Sequence, residues 1–233
     1  MSLPVIIIRP EPGAGATLSA ARAAGLDAYS FPLFAVTPLA WMAPDPIGID
    51  ALLITSANAP RHAGAELSLY AGKPTYAVGE VSAKAAQAAG LDVCAIGDAG
   101  LAALLPTLDP THRRLLHLAG RERLTLEPPA GITLTERITY ASEPMSMPGP
   151  LALLLTAKAL PGAVVLLHSA NAARHFAAEC DRLGIARARL HLATLSQEVA
   201  QAAGSNWAQL ATASTPHDAA LLALARQLCQ ETS

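Results

Sequence analysis

The stretch LLITSANA, residues 52–59, returns as VLLHSANA at residues 165–172. Each copy is an apolar run that ends in a Ser-Ala-Asn-Ala turn ahead of an alanine-rich segment. Other segments repeat in step with it: YAVGEVSAKAAQAAG (76–90) with LHLATLSQEVAQAAG (190–204), and GLDAYSFPLFAV (25–36) with GITLTERITYAS (131–142). The chain is therefore predicted to contain two copies of one structural unit.

Continuous apolar runs such as VIII (5–8) and VVLLHS (164–169) alternate with alanine-rich stretches of helical period. Uninterrupted hydrophobicity favours strands that are covered on both faces, as in parallel α/β sheets. Helices are predicted over 57–70, 82–89, 99–105, 170–183, 196–203 and 216–229. The predicted fold class is α/β, with two similar parallel-sheet (flavodoxin-like) lobes joined by a two-stranded β-ladder.

The order of the repeated pieces predicts that the first lobe is discontinuous. Residues 1–34 and 143–233 would form lobe 1, and residues 38–139 would form lobe 2. Segments 28–37 and 133–142 would be the crossing strands between the lobes. A connection of only two strands permits the lobes to rotate, so we expect a ligand cleft between them.

Composition excludes several functional classes. Hydrophobic residues make up 52% of the 233 residues and charged residues 15%, which is typical of a chain with a large core. Aromatic residues are only 4% and the net charge is −2, so nucleic-acid binding is not expected. The three cysteines show no CxxC spacing and the seven histidines no HxxxH pair, so we expect neither a disulfide framework nor a metal site.

Neither a membrane span nor a targeting segment is predicted. Residues 3–8 are apolar but follow no basic region and stop at Arg9, so they are too short for a signal peptide. The longest apolar stretch, 151–167, contains Lys158 and a Pro-Gly break, which predicts a helix, a turn and a strand. We expect a soluble, cytoplasmic protein.

The repeated turns fall where strands end and helices begin, which is the edge at which parallel sheets bind ligands. Ser56 and Ser169 each follow a strand, and Ser82 and Ser196 hold the corresponding place in the second repeated segment. Such serines usually cap a helix and do nothing else. Several helix N-termini facing one cleft would, however, also bind carboxylates through backbone amides.

A few polar residues are harder to explain structurally. Arg9 ends the first strand, and Arg121 and Arg123 follow the strand at 115–119; these arginines either pair with ligand carboxylates or are simply solvated. Tyr140 lies on a crossing strand and is either part of the site or hinge packing. The segment GAGATL (13–18) lacks the third glycine of a dinucleotide-binding turn, and there is no phosphate-binding P-loop.

Several motifs together resemble the uroporphyrinogen-III synthase family of bacterial type. They are VIIIRPEP (5–12), LLITSANA, YAVGEVSAKAAQAAG, LLHLAGRER (115–123), ERITYASEP (136–144), LLHSANAARHF (166–176) and ATASTPHDAALLAL (211–224). The likeness covers nearly the whole chain, and its specificity comes from the number, order and spacing of the motifs.

The resemblance implies a cofactor-free reaction on hydroxymethylbilane, a linear tetrapyrrole that carries acetate and propionate groups. The enzyme would close the macrocycle with loss of water and invert ring D through a spiro intermediate, in haem biosynthesis. The same reactive cation closes without inversion when left alone, so geometric restraint would be the enzyme's main contribution. We expect a monomer that interacts with neither nucleic acid nor membrane, and hydroxymethylbilane could be handed over by the bilane-forming enzyme.

The resemblance also implies roles for individual residues. Tyr140 matches the family tyrosine that assists departure of the hydroxyl as an acid or hydrogen-bond donor. The expected substrate-binding residues are Arg9, Thr55, Ser56, Asn58, Gly79, Ser82, Gly120, Arg121, Ser169, Asn171 and Ser196. Relatives often have glycine where this chain has Ala193. A methyl group there could prevent close approach to the backbone, which makes Ser196 the least secure of the binding residues.

Two other functions remain open at this stage. A non-catalytic two-lobed binding protein would have the same architecture, although Tyr140 and the lack of an export signal argue against it. A nucleotide-sugar transferase also has paired α/β lobes, but these lobes are small and no phosphate loop is present.

Overall fold

The computed structural model describes residues 3–97, 101–122, 126–157 and 161–231. Its strands are β1 (Val5–Ile7), β2 (Ala28–Ser30), β3 (Phe34–Pro38), β4 (Ala51–Ile54), β5 (Pro74–Val78), β6 (Asp92–Gly97), β7 (Arg114–Gly120), β8 (Thr133–Pro144), β9 (Ala163–Leu167), β10 (Leu190–Thr194) and β11 (Gln209–Thr212). Its α-helices are α1 (Gly13–Ala23), α2 (Asn58–His62), α3 (Glu80–Ala88), α4 (Leu101–Leu104), α5 (Gly149–Thr156), α6 (Ala170–Arg182), α7 (Gln197–Ala203) and α8 (Asp218–Glu231). The predicted α/β class is confirmed.

The chain divides into two compact units. Unit 1 comprises Met1–Ala35 and Pro144–Ser233, and unit 2 comprises Val36–Glu143. Unit 1 contains a parallel five-stranded sheet in the order β11-β10-β9-β1-β2. Every residue of β1 and β9 is buried, because apolar clusters cover both faces of the sheet. This two-sided burial explains the continuous apolar runs in the sequence.

Unit 2 contains a mixed six-stranded sheet in the order β3-β8-β7-β4-β5-β6. Its neighbours from β8 to β6 all pair in parallel. The five strands β8-β7-β4-β5-β6 have the same spatial arrangement as β2-β1-β9-β10-β11 of unit 1. In unit 2, however, the strands equivalent to β1 and β2 are β7 and β8, which come last in the chain. The two copies are therefore related by a circular permutation.

The predicted crossing segment 28–37 is divided into β2, which belongs to the sheet of unit 1, and β3, which pairs with β8. Pro32 lies between them and has no N–H group with which to continue a ladder of hydrogen bonds. The pair of β3 and β8 forms one edge of the six-stranded sheet rather than a separate ladder.

Most predicted helices are confirmed within about two residues, but two are shorter than predicted. The segment 57–70 contains α2 and then a 3₁₀ helix over Ala65–Tyr70, separated at Gly64, whose φ of 71° is incompatible with a continuous α-helix. The segment 99–105 contains α4 and the start of a 3₁₀ helix, and residues 99 and 100 lie outside the described residues. No helix in the described ranges is long and apolar enough to cross a membrane.

Candidate functional site

Each unit has one point at which the strand order reverses direction. In unit 2 this point lies between β7 and β4, and in unit 1 it lies between β1 and β9. Ligands of open α/β sheets bind at such points, beyond the carboxyl ends of the strands. The residues found there are Thr55, Ser56 and Gly120 in unit 2, and Arg9 and Ser169 in unit 1.

Tyr140 lies on β8 directly opposite Gly120 at the end of β7. Its hydroxyl donates a hydrogen bond to Ser56 Oγ at 2.9 Å. A Cβ atom at position 120 would lie 2.6 Å from Cζ of the tyrosine, so the ring occupies the space that any larger residue would need. Gly120, Tyr140 and Ser56 therefore form one packed group on unit 2.

Ser56 was predicted to cap the helix that follows it; its hydroxyl accepts the first helical N–H, but from one residue before the N-cap position. The N-cap of α2 is Ala57, which provides no side-chain cap, while Ser56 Oγ accepts the Asn58 N–H at 3.3 Å. Because its oxygen also accepts from Tyr140, Ser56 serves chiefly as a hydrogen-bond acceptor in this geometry. Asn58 is the first residue of α2, with Oδ1 3.5 Å from Nη1 of Arg61.

A buried histidine that sequence reasoning missed lies behind Thr55. His117, on β7, is 1% exposed; its Nε2 lies 2.8 Å from Thr55 Oγ1 and its Nδ1 lies 3.2 Å from Glu136 Oε2. The signal in the sequence is a single polar residue inside the apolar run LLHLA (115–119). Thr55 itself is half-buried and follows β4 immediately.

In unit 1, Arg9 belongs to a cluster of polar side chains beyond β1 and β9. Its Nη1 donates to Thr17 Oγ1 at 3.3 Å and lies 3.6 Å from Asp218 Oδ1. Asp218 also accepts hydrogen bonds from Thr17 at 2.8 Å and from His168 Nε2 at 2.7 Å. Arg9 is thus paired with a carboxylate of the protein itself, and its side chain remains 34% exposed.

Burial and hydrogen bonding shift the pKa values of Asp218 and His168 in opposite directions. Burial alone would raise the pKa of the Asp218 carboxyl, but hydrogen bonds from His168 and Thr17 outweigh it and hold the pKa below its ordinary value. Burial lowers the pKa of His168, although Asp218 works against that shift. Burial therefore favours the neutral form of the His168 ring, whose buried Nδ1 has no hydrogen-bond partner among the described residues.

Two predicted caps of unit 1 are present. Ser169 is the N-cap of α6, where its Oγ accepts the Ala172 N–H at 3.1 Å. Ser196 is the N-cap of α7 and accepts the Val199 N–H at 3.4 Å. Asn171 lies half-buried in the first turn of α6.

Ser82 is not a cap, which corrects the prediction that it corresponds to Ser196. Helix α3 begins earlier than predicted, with Gly79 as N-cap at a φ of 77°, and Ser82 is buried inside the first turn. At the repeated position, Ala193 cannot easily adopt a positive φ, so β10 continues to Thr194 and the helix starts later. The Ala193 methyl group packs into the core of unit 1.

Arg121 follows Gly120 and is anchored through its backbone, whose N–H donates to Tyr140 O at 2.9 Å. Its exposed guanidinium donates to Glu143 Oε1 at 2.6 Å. Arg123, the other arginine singled out in this segment, lies outside the described residues. Within the described ranges, no three His, Cys, Asp or Glu side chains are grouped closely enough to hold a metal ion.

Comparison with known proteins agrees with this fold and this arrangement of motifs. The family model described as HEM4, uroporphyrinogen-III synthase HemD, matches residues 16–223. A uroporphyrinogen-III synthetase structure from Helicobacter pylori aligns with a TM-score of 0.68 at 18% identity, covering 98% of this chain and 100% of that one. A mutant uroporphyrinogen III synthase from Thermus thermophilus aligns with a TM-score of 0.53 at 19% identity, covering 99% and 100%.

A search of curated protein sequences gives no match to the chain. The two structures share its fold over nearly their full lengths, and the family model spans most of the sequence, including Thr55, Tyr140 and Ser169. The chain belongs to the uroporphyrinogen-III synthase family.

Proposed function

We propose that the group formed by Tyr140, Ser56 and Gly120 carries out the proton transfer in the reaction of this family. That reaction closes hydroxymethylbilane with loss of water and inverts ring D through a spiro intermediate. The family acts without a cofactor and takes a small tetrapyrrole as substrate. The observation that carries the proposal is the 2.9 Å hydrogen bond that aims the Tyr140 hydroxyl at the turn after β4.

The substrate hydroxyl needs a proton in order to leave as water. Tyr140 can supply it when the substrate hydroxyl replaces Ser56 as the acceptor of the phenolic hydrogen. Ser56 can then reverse its role and donate to the tyrosine oxygen, which stabilises the developing phenolate. Ring closure at the end of the reaction releases a proton from the attacking pyrrole carbon, and this proton restores the phenol.

Binding of the carboxylates is assigned to backbone amides and to the two arginines. The first turns of α3 and α6 present N–H groups beside Gly79 and Ser169, and helix N-termini favour negative charge. Arg9 and Arg121 are each paired with a protein carboxylate and are exposed by 34% and 55%. A substrate carboxylate can therefore exchange with Asp218 or Glu143 in these pairs without exposing an uncompensated buried charge.

The remaining substrate-binding assignments rest on position at the strand ends. They comprise Thr55, Asn58, Gly79, Ser82, Gly120, Asn171 and Ser196. Ser82 is the weakest member because it is only 6% exposed, so its contribution would be to shape the first turn of α3.

We also propose that the enzyme works as a monomer in the cytoplasm and receives its substrate from the bilane-forming enzyme. No disulfide joins the three cysteines in the described part of the chain, which is typical of a reducing compartment. Handover is supported by the chemistry, because the bilane cyclises without inversion if it is released.

The test is conversion of freshly prepared hydroxymethylbilane by the purified protein, followed by chromatographic separation of the two cyclic isomers. We expect the inverted isomer to predominate for the wild type and to decrease for Tyr140→Phe. The alternative function, a non-catalytic two-lobed binding protein, predicts the non-inverted isomer in the proportion found without protein. That result would refute the proposal.

A further inference from the structure

His117 is a polar side chain in an otherwise apolar part of a buried strand. It lies in the middle of β7 between Leu116 and Leu118, and all three residues are essentially buried. A buried polar group costs stability unless its hydrogen bonds are satisfied, and both ring nitrogens of His117 have partners. An apolar residue would avoid this requirement, so the histidine calls for an explanation beyond packing.

The directions of the two hydrogen bonds follow from the partners. Glu136 is the cross-strand neighbour of His117 in the register of β7 and β8, and a carboxylate can only accept. Nδ1, which is 3.2 Å from Glu136, therefore carries the ring hydrogen. With the ring carrying this one hydrogen, Nε2 is an acceptor, and the Thr55 hydroxyl then donates its one hydrogen across the 2.8 Å contact.

These hydrogen bonds fix the role of the Thr55 hydroxyl toward a ligand. Its hydroxyl hydrogen is committed to the ring, so its oxygen offers only lone pairs to a further partner. Thr55 is half-buried and lies beside Ser56 at the end of β4, in the candidate site. The groups proposed to bind the substrate carboxylates, the backbone amides and the arginines, are all donors.

We infer that His117 is a positioning residue that, held by Glu136, keeps Thr55 as a hydrogen-bond acceptor for a pyrrole N–H group of the substrate. The inference rests on the proposed function, since a tetrapyrrole carries N–H donors as well as carboxylates. Donor groups alone cannot recognise the pyrrole nitrogens. One fixed acceptor gives the site a means to orient a ring as well as its side chains.

The test is a double-mutant cycle with Thr55→Val, His117→Phe and the combined variant, in the bilane assay. A neutral hydrogen bond of ordinary strength predicts that KM rises about two- to tenfold, with kcat changed less than about twofold. The combined variant should be no worse than either single variant, because both remove the same contact. A purely structural role for His117 would instead lower the active fraction, and thus kcat, at constant KM.

A matched control and a milder variant keep the test decisive. His191, on β10 of unit 1, is a strand histidine that is 9% exposed, and His191→Phe should leave KM unchanged. Glu136→Gln keeps the ring in place but no longer dictates which nitrogen carries the hydrogen. It should raise KM in the same direction as His117→Phe, even if the latter fails to fold.

An unchanged KM in Thr55→Val or in Glu136→Gln would overturn the inference. It would also be overturned if the KM increases of Thr55→Val and His117→Phe multiplied in the combined variant. Failure of the proposed function is a different result, because the wild type would then not form the inverted isomer at all. If the wild type forms that isomer and Thr55→Val keeps its KM, only the role of His117 is refuted.

Discussion

Replacing Gly120 by alanine is expected to slow the reaction by displacing Tyr140. The added Cβ would lie 2.6 Å from Cζ, 2.8 Å from Oη and 2.9 Å from Cε2 of the tyrosine. Ordinary contact begins at 3.4 Å, so the ring must recede by about 0.8 Å. Because the φ angle of Gly120 is outside the left-handed region, the backbone itself accepts alanine without strain.

The size of the effect follows from this displacement. The 2.9 Å hydrogen bond from Tyr140 to Ser56 would lengthen or break, and the phenol would no longer be held against the turn after β4. A misplacement of about 1 Å costs on the order of a hundredfold in rate. Overpacking of a buried site costs about 1–3 kcal/mol in unfolding free energy, and we expect the lower end because the ring is only partly buried and can tilt outward.

The assay compares kcat for the inverted isomer with the thermal unfolding temperature of the same preparation. Gly149→Ala is the matched control: apart from its own helix backbone and chain neighbours, no atom of the described residues lies within 4 Å of its added Cβ. Its φ is outside the left-handed region, so activity should be normal. In a Tyr140→Phe background, Gly120→Ala should cause little further loss, since the hydroxyl is already absent. Wild-type kcat in Gly120→Ala would show that the position of Tyr140 does not control the reaction.

Three further outcomes are expected. Tyr140→Phe should lower kcat about ten- to a thousandfold with little change in unfolding temperature, and unchanged single-turnover rates would reject its role as proton donor. Ser169→Ala removes the N-cap of α6 and should cost about 0.5–2 kcal/mol of unfolding free energy. Ser56→Ala removes only the longer 3.3 Å bond to the first N–H of the short helix α2 and should cost less; equal losses in denaturant titrations would contradict this difference. The hydrogen bond from Arg182 lowers the pKa of Glu179 from 4.5 to about 2. The stability lost in Glu179→Gln should therefore be largest above pH 4.5 and disappear as the pH falls through about 2. A stability difference between the two proteins that persisted at the acid end of a titration would contradict this.

The duplicated apolar runs were sufficient to predict the fold class. Strands buried on both faces leave a strong pattern, since nearly every residue must be apolar. The same repeat identified the strand ends on which Thr55, Ser56 and Ser169 lie. What the repeat could not predict was the exact residue at which each helix begins, because that depends on single backbone angles.

Gly79 and Ala193 illustrate this limit. The two positions align in the repeat, yet Gly79 turns the chain directly into α3 while Ala193 continues β10. A difference of one methyl group therefore shifts the start of the helix, and it places Ser82 and Ser196 in different surroundings.

Side chains that act in pairs across strands were also missed. His117 and Glu136 are 19 residues apart in sequence and meet only because β7 and β8 are neighbours in register. Asp218 lies inside the predicted helix 216–229, and the sequence does not indicate its hydrogen bond with His168, which is 50 residues away. Such partnerships depend on strand order, which the apolar pattern alone does not specify.

The permuted order of the two sheets has a consequence for synthesis of the protein. Unit 2 occupies one continuous span, Val36–Glu143, so its whole sequence has been synthesised before the second part of unit 1. Strand β1 has only β2 beside it until β9 emerges, and two short parallel strands cannot bury their faces alone. Because domains fold as their last strand becomes available, unit 2 completes its core first, and the amino-terminal strands of the chain are among the last to find their place.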